Sequence, residues 1–244
     1  MLTCNHLSFS LRGNFLLKKI SLAFAPGQIW GILGPNGSGK STLLKTLAGI
    51  WTPTTGQVCY NGENLFFMER KQISKILTMV PQTCATAFGF TAQEIVAMGR
   101  YCHEKKDNER LIQESLRRVD GLHLKDRKIW ELSSGERQRI FIARSLATEA
   151  NVLLLDEPTS NLDIRHQLEV WALIKELAEE GKTILVAHHD LSVVRRYFTK
   201  AAVLHQGSCV AFGAADTILT TGILKKVFGI KIDAQGNLQP AAAT

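Results

Sequence analysis

The sequence predicts an α/β fold with a core of parallel strands and helices, an antiparallel β subdomain and an inserted helical subdomain. Short apolar runs typical of buried parallel strands occur towards both ends of the chain. Alternating apolar and polar residues precede the first of these runs, as in a sheet with one exposed face. Between the two groups of strands, apolar residues recur at helical spacing, which predicts a helical insertion.

The first part of the chain is predicted to form mainly strands. These are 7–11, 20–24, 29–33, 56–60 and 76–80. The first two alternate in polarity, whereas the third and the last are continuous apolar runs. The fourth ends in Asn61-Gly62, a dipeptide typical of hairpin turns. A helix is predicted to begin near Thr42, directly after a glycine-rich segment.

Helices dominate the middle of the chain, and strands return in its last part. The predicted helices of the middle are 91–100, 107–119 and 134–147. The predicted strands of the last part are 152–155, 183–187 and 201–205. A further amphipathic helix, 164–180, is predicted to end at Gly181. Its predicted inner stripe consists of Ile164, Leu168, Trp171, Ile174 and Leu177.

These elements predict one domain covering residues 1–244. Its core and β subdomain are expected to come from 1–82 and 151–233, and its helical subdomain from 83–150. The small and polar residues 234–244 are predicted to form a flexible tail. Because 45% of the residues are hydrophobic, the chain can bury an ordinary core. No apolar run approaches the roughly 20 residues of a membrane span.

Charge and cysteine content narrow the expected partners and compartment. The chain has a formal net charge of +7, but its basic residues form only short clusters. Because the sequence has no long basic tract, no nucleic-acid partner is expected. The five cysteines are scattered and never form a CxxC pair. This pattern argues against a disulfide framework and against a zinc site, and it favours a reducing compartment.

The glycine-rich segment GPNGSGKST lies between an apolar strand and a helix, which is the context of a phosphate-binding P-loop. Its backbone N–H groups and the helix N-terminus can surround phosphate oxygens. Lys40 can reach the β- and γ-phosphates of a nucleotide, and the Ser41 hydroxyl can bind Mg²⁺. The residues predicted to bind the nucleotide here are Gly34, Pro35, Asn36, Gly37, Ser38, Gly39, Lys40, Ser41 and Thr42.

Two consecutive carboxylates follow the apolar strand 152–155. Asp156 lies at the end of this strand, where it can hold Mg²⁺ beside the P-loop. Glu157 is not needed for the metal and suits the activation of a water for attack on the γ-phosphate. An ordinary acidic turn before Pro158 is the simpler alternative, and the P-loop in the same chain makes it less favoured.

The segment LSSGE begins the predicted helix 134–147. Ser133 or Ser134 can cap this helix, and Glu136 lies in its first turn. Such a helix start can bind an anion. A well-capped helix without a ligand explains the same residues, so this segment alone leaves both interpretations open.

Taken in order, the motifs resemble those of the ATP-binding subunits of ABC transporters over nearly the whole chain. In that family, Ser133, Ser134, Gly135 and Glu136 correspond to the nucleotide-contacting signature LSGGQ, with Ser134 in place of a glycine and Glu136 in place of a glutamine. The other matches are Gln82 in the Q-loop, 160–163 in the D-loop and His189, before Asp190, as the switch histidine.

This resemblance implies an ATPase that uses ATP and Mg²⁺. The implied catalytic residues are Glu157, His189 and Gln82, and the implied metal-binding residues are Ser41, Gln82 and Asp156. Two subunits would form a homodimer, with each ATP between the P-loop of one copy and the signature segment of the other. The dimer would bind integral membrane permease subunits at the cytoplasmic face of the bacterial inner membrane, and would act indirectly with a substrate-binding protein.

Two segments resemble a particular group within the family. Residues 94–101, EIVAMGRY, and the region 216–229 are similar to ATPases of type II importers of iron-siderophores, haem, cobalamin and related metal chelates. Import of such a chelate is therefore the expected function. A soluble ABC ATPase without a transport role and the ATPase subunit of an exporter are the alternatives.

The aromatic residue that stacks on adenine in many family members is missing from the corresponding position, Leu11. The sequence therefore leaves open how the base is held. Trp51 and Trp130 are predicted to be packing residues and not ligand-stacking ones.

The segment 83–103 is predicted to contact the membrane partner, because it follows Gln82 and is apolar near its start. The residues expected to form an exposed docking patch are Ala85, Ala87, Phe88 and Phe90. The alternative is that these side chains fill the core of the helical subdomain.

Overall fold

The computed structural model describes residues 1–82, 89–103, 107–232 and 238–240. Its strands are β1 (Leu2–Leu11), β2 (Asn14–Phe24), β3 (Ile29–Leu33), β4 (Thr55–Tyr60), β5 (Glu63–Asn64), β6 (Leu77–Val80), β7 (Val152–Asp156), β8 (Thr183–His188), β9 (Lys200–His205), β10 (Ser208–Ala214), β11 (Ile230–Ile232) and β12 (Leu238–Pro240). Its α-helices are α1 (Lys40–Leu47), α2 (Arg70–Ile76), α3 (Ala92–Ala97), α4 (Asn108–Arg118), α5 (Ser134–Ala147), α6 (Ile164–Glu179), α7 (Val194–Tyr197) and α8 (Thr221–Ile223). Short 3₁₀ turns lie at Leu65–Phe67, Met98–Arg100, Leu122–Leu124 and Ile129–Glu131, and a π-helical turn lies at Leu224–Phe228.

The antiparallel subdomain is a four-stranded sheet in the order β2-β1-β4-β5. Its first two strands form a hairpin and extend beyond the alternating segments predicted for them. The hairpin predicted at Asn61-Gly62 is confirmed, because both residues have positive φ and join β4 to β5. This sheet packs its apolar face against α1 and one face of the second sheet.

The second sheet has six strands in the order β10-β9-β3-β8-β7-β6. All neighbouring pairs are parallel except β9 and β10. Successive residues of its central strands belong to two different cores, so both faces of the sheet are covered. The predicted α/β fold with a parallel core is thus confirmed. β10 was not predicted from the sequence.

The middle of the chain forms the predicted helical part, in which α3, α4 and α5 pack on one another. The first predicted helix is divided in two: α3 begins after the cap residue Thr91 and gives way to the 3₁₀ turn Met98–Arg100. The Thr91 hydroxyl accepts from the Glu94 N–H, and the Glu94 carboxylate accepts from the Thr91 N–H, which fixes the start of α3.

The predicted inner stripe of α6 is wrong at its N-terminal end. Ile164 and Leu168 are 77% and 46% exposed, because the first two turns of α6 extend beyond the core. The predicted Trp171, Ile174 and Leu177 are buried. The residues buried beside them are Val170, Leu173 and Ala178.

The predicted flexible tail, 234–244, lies largely outside the described residues. Its described part, β12, pairs antiparallel with β11. Within the described ranges, no helix is both long and apolar enough to cross a bilayer.

Two leucines of α6 test which face of this helix is buried. Leu177 is 1% exposed and Leu168 is 46% exposed. We expect Leu177→Ala to lower the free energy of unfolding by about 2–5 kcal/mol, because it leaves a cavity in the core. Leu168→Ala should change it by no more than about 0.5 kcal/mol. Urea denaturation measures both, and equal losses would contradict the observed orientation of α6.

Candidate functional site

The register of the parallel strands brings the predicted functional residues to one edge of the six-stranded sheet. Leu33 at the end of β3 pairs with His188 at the end of β8. The last residue of β7, Asp156, pairs with Ala187 of β8. At the end of β6, Val80 pairs with Leu155 of β7. The segments that follow these four strands therefore leave the sheet side by side.

The P-loop connects β3 to α1. At two of its positions only glycine fits, because the backbone has positive φ and a Cβ atom would collide with a neighbouring strand. Gly34 has φ +147°, and a Cβ there would lie 2.3 Å from the Leu204 carbonyl oxygen. Gly39 has φ +106° and is the cap residue of α1. A Cβ at Gly39 would lie 2.9 Å from the Leu16 carbonyl oxygen. The loop thus passes closely between β2 and β9 before the helix begins.

A cavity of about 440 Å³ opens beside this loop. The predicted residues that line it are Asn36, Gly37, Gly39, Lys40, Ser41, Thr42, Gln82 and Glu157. Gly34, Pro35 and Ser38 form the loop behind it and are not among its lining residues. Leu16 lines the cavity and was missed by the sequence analysis, because it belongs to an alternating strand and to no motif.

Lys40 is buried at the base of the loop and 6% exposed. Its Nζ atom donates to the carbonyl oxygens of Gly34 at 2.8 Å and Pro35 at 3.1 Å. Burial lowers the pKa of this ammonium, while the negative charges of Glu157 and Asp156 oppose that shift. The loop carbonyls hold the ammonium beside the cavity, where a phosphate oxygen can replace them as its partner.

The Glu157 carboxylate contacts the other two predicted catalytic residues. Gln82 Nε2 donates to Glu157 Oε2 at 2.9 Å, and His189 Nδ1 lies 3.1 Å from Glu157 Oε1. Glu157 is only 8% exposed, so these contacts satisfy a carboxylate that is largely removed from water. Its φ of 49° turns the chain sharply after β7 and directs the side chain towards the cavity.

The two adjacent histidines have different environments. His188 is buried, packs near Trp171, and has Nε2 3.3 Å from the Thr159 hydroxyl oxygen. Burial lowers its pKa, which favours the neutral ring. The side chain of His189 is 56% exposed and contacts Glu157. The structure thus brings His189, and not His188, to the carboxylate.

Asp156 and Ser41 provide oxygen donors suited to Mg²⁺. Asp156 is 3% exposed, and the Ser41 hydroxyl lies near its carboxylate. Its Oδ1 atom is buried without a hydrogen-bond partner among the described residues. Burial raises the pKa of Asp156, and the nearby Ser41 hydroxyl opposes this shift. An unpaired buried carboxylate oxygen beside a hydroxyl fits a hard cation, so these residues are compatible with the predicted metal.

The signature residues lie apart from the P-loop cavity and are not among its lining residues. Ser133 caps α5: its hydroxyl accepts from the Glu136 N–H at 3.2 Å, and Glu136 Oε2 accepts from the Ser133 N–H at 2.8 Å. Ser134 is exposed. A Cβ at Gly135 would lie 3.0 Å from the Asn161 carbonyl oxygen, so the start of α5 packs directly on the predicted D-loop.

The aromatic residues near the start of the chain do not line the cavity. Phe9 is buried and stacks on Trp51, with ring centroids 5.0 Å apart. Leu11 and Phe15 are 51% and 56% exposed at the β1–β2 hairpin. Leu16 is therefore the apolar side chain of this region that lines the described cavity.

The chain is similar to known proteins over most of its length. The family model for ABC transporters matches residues 17–160. The hemin import ATP-binding protein HmuV of Pseudomonas putida is 38% identical, over 97% of this chain and 96% of that protein. The ferric enterobactin transport ATP-binding protein FepC of Escherichia coli is 36% identical, over 88% of this chain and 82% of that protein.

A solved structure adds information on assembly. The dimeric, post-hydrolysis ATP-binding cassette MJ0796 bound to ADP and phosphate has a TM-score of 0.81 to this chain at 26% identity. The match covers 88% of this chain and 99% of that one.

Removal of the buried ammonium of Lys40 should weaken nucleotide binding. We expect Lys40→Ala to weaken ATP binding at least about a hundredfold, since a charge-assisted contact to phosphate is lost. Isothermal titration calorimetry measures the affinity. Lys71→Ala removes the same charge from the exposed surface of α2 and should bind normally. Wild-type affinity in Lys40→Ala would contradict the predicted role of the P-loop.

Proposed function

The chain belongs to the ABC transporter family, and we propose that it is the ATP-hydrolysing subunit of an importer of metal chelates such as haem or ferric siderophores. Two relatives are named for import or transport of such compounds; one matches nearly the whole chain and the other matches most of it. The observation that carries the ATPase activity is the contact of Gln82 and His189 with the two Glu157 oxygens beside the P-loop cavity. Binding and hydrolysis of ATP are the activity of this family.

The proposed mechanism assigns one task to each residue. Lys40 and the backbone N–H groups of residues 36–42 bind the phosphates. Glu157 accepts a proton from the water that attacks the γ-phosphate, and Gln82 and His189 orient the carboxylate. The contact of His189 with Glu157, and the burial of His188, support His189 as the switch histidine.

Mg²⁺ would be held by Asp156 and Ser41, with Gln82 available as a further oxygen donor. When bound, the ion neutralises part of the negative charge of the phosphates. The unpaired Oδ1 atom of Asp156 supports this assignment.

The separation of the signature segment from the P-loop cavity supports a homodimer. Ser133, Ser134, Gly135 and Glu136 cannot complete the cavity of their own chain in this arrangement, because they are not among its lining residues. In a two-fold dimer, the signature segment of each copy would face the P-loop of the other and close both sites. The ATP-binding cassette MJ0796 with ADP and phosphate bound is itself dimeric.

A second cavity, of about 360 Å³, supports a docking site for the permease. Ile50, Met98 and Tyr101 line it and are exposed, with Tyr101 at 86%. Two of these residues belong to the predicted contact segment 83–103. The predicted patch itself requires a correction, because Phe90 packs against the helical core. Ala85, Ala87 and Phe88 lie outside the described residues.

The proposed assembly places this subunit at the cytoplasmic face of the bacterial inner membrane, bound to permease subunits. A substrate-binding protein would deliver the chelate to the permease from the other side. No nucleic-acid partner is proposed.

Uptake by cells tests the proposed direction and substrate class. A strain without this chain should lose import of at least one labelled haem or ferric siderophore, and the wild-type gene should restore it. The gene for Glu157→Gln should not restore import. Normal uptake of these chelates in the deletion strain, with increased retention of another compound, would support an exporter instead.

Removal of the Glu157 carboxylate should affect ATP hydrolysis but not ATP binding. We expect Glu157→Gln to keep ATP affinity within about twofold and to lower kcat by at least about a hundredfold, because the proton acceptor is removed. Calorimetry and a phosphate-release assay measure the two quantities. Hydrolysis at the wild-type rate would exclude Glu157 as the base.

The exposed ring of Tyr101 tests the docking cavity. We expect Tyr101→Asp to abolish co-purification with the permease while Tm and ATP affinity stay unchanged, because the ring lies on the surface. Phe67→Asp is a matched control, since Phe67 is 90% exposed and does not line this cavity. Equal effects of the two variants would contradict the assignment of the cavity.

A further inference from the structure

His188 is a buried histidine that the proposed mechanism does not use. It is 7% exposed, although its ring has two polar nitrogen atoms. Both nitrogens have partners: Nε2 lies 3.3 Å from the Thr159 hydroxyl oxygen, and Nδ1 accepts from the Asp190 N–H at 3.0 Å. A buried ring with a partner at each nitrogen has a fixed orientation, so its contacts show which segments it holds together.

The contact with Asp190 determines which nitrogen of His188 carries the proton. A backbone N–H can only donate, so Nδ1 must be the unprotonated nitrogen. In the neutral ring the proton is then on Nε2, which donates to the Thr159 hydroxyl oxygen. Burial lowers the pKa of His188, the positive charge that His189 can carry adds to this shift, and the negative charges of Asp190 and Glu157 oppose it. The environment thus favours the neutral ring that these two contacts require.

One contact of His188 fixes the turn that carries Glu157. Thr159 lies two residues after Glu157 and is 3% exposed. The backbone of the same turn is also bonded to β8, because the Glu157 N–H donates to the Ala187 carbonyl oxygen at 3.0 Å. The turn is therefore joined to the end of β8 twice, once by the backbone and once by the side chain of His188.

The other contact fixes the neighbouring His189. The bond from the Asp190 N–H to the ring of His188 spans His189 and so restricts the backbone of that residue. The two imidazole rings are nearly parallel, at 15°, and their centroids are 5.4 Å apart. A side chain that is 56% exposed, like that of His189, keeps its rotamer freedom unless neighbours restrict it. The ring of His188 provides such a restriction on one face, while Nδ1 of His189 stays 3.1 Å from Glu157 Oε1.

The core holds His188 in turn. Its ring centroid lies 5.8 Å from that of Trp171, which is 3% exposed in α6. Trp171 also stacks on Tyr197 of α7, with centroids 4.5 Å apart. A side chain locked in this way can keep a catalytic neighbour in its productive geometry, and a displacement of about 1 Å is enough to slow a reaction strongly.

We propose that His188 is a positioning residue for ATP hydrolysis. Its neutral ring ties the turn after Glu157 to the backbone around His189, and holds the His189 side chain against the Glu157 carboxylate. His188 is not among the residues that line the P-loop cavity, so it acts through these two residues and not on the nucleotide. This proposal rests on the proposed ATPase activity, and it concerns the hydrolytic step alone.

Steady-state ATP hydrolysis by the full chain tests this role. We expect His188→Leu to lower kcat about tenfold and to keep KM for ATP within about twofold, because both hydrogen bonds are lost while the phosphate-binding groups stay in place. The rate is expressed per ATP-binding site counted by calorimetry, so that unfolded molecules do not contribute. His123→Leu is the control and should keep the wild-type kcat, since His123 is exposed in the 3₁₀ turn Leu122–Leu124.

A conservative variant tests whether the hydrogen bond, and not only the bulk of the ring, is needed. The side-chain oxygen of asparagine is an acceptor and is attached to Cγ, as Nδ1 is in histidine. His188→Asn can therefore accept from the Asp190 N–H. We expect its kcat to be at least about threefold higher than that of His188→Leu, although asparagine fills less of the buried space.

A double-mutant cycle tests the contact with Thr159. Thr159→Val removes the hydroxyl at nearly constant volume and should lower kcat about threefold. In the His188→Leu background the same substitution should add no further loss, and additive losses would contradict a shared role of the two groups. Thr183→Val is the matched control, since Thr183 is also 3% exposed but lies at the opposite end of β8. It should keep the wild-type kcat.

Three further results would overturn the proposal. The first is a wild-type kcat in His188→Leu. The second is a lower Tm of that variant with an unchanged kcat per binding site, which would make the ring merely structural. The third is a kcat of His188→Asn no higher than that of His188→Leu. A failure of the proposed function is distinct, because a wild type that binds ATP and does not hydrolyse it contradicts the ATPase assignment itself.

Discussion

The register of the parallel strands β3, β8, β7 and β6 is the constraint on which the site depends. It aligns the ends of these strands, so that the segments containing Gly34, His189, Glu157 and Gln82 start at one edge of the sheet. These residues are distant from one another in the sequence. A shift of one residue in any strand would turn the following side chain to the opposite face and separate it from the cavity. The catalytic arrangement is thus a consequence of sheet pairing.

The same edge also concentrates charge. Asp156 and Glu157 are adjacent, and both are buried. Burial raises the pKa of Asp156, the negative charge of Glu157 adds to this shift, and the positive charge of Lys40 opposes it. Glu157 has polar partners at both oxygens, whereas Asp156 keeps one oxygen without a described partner. The two carboxylates are therefore suited to different tasks: Glu157 to accept a proton, and Asp156 to bind a cation.

The sequence predicted the parts of this site that depend on local chemistry. The P-loop could be recognised because its glycines and Lys40 must have fixed spacing, and Asp156 because it ends an apolar strand. The misses involve packing over long distances. The apolar spacing of α6 continues through Ile164 and Leu168, although the core ends before them. Leu16 reaches the cavity only because β2 passes the P-loop, and no local signal indicates this.

In the proposed homodimer, a single copy of the chain holds two half-sites, which form complete sites only when two copies meet around ATP. Sedimentation of the Glu157→Gln variant with and without ATP and Mg²⁺ tests this directly. We expect a monomer without nucleotide and a species of twice that mass with it, and no such species when Lys40→Ala is added. A variant that binds ATP at its wild-type affinity and remains a monomer at every protein concentration would contradict it.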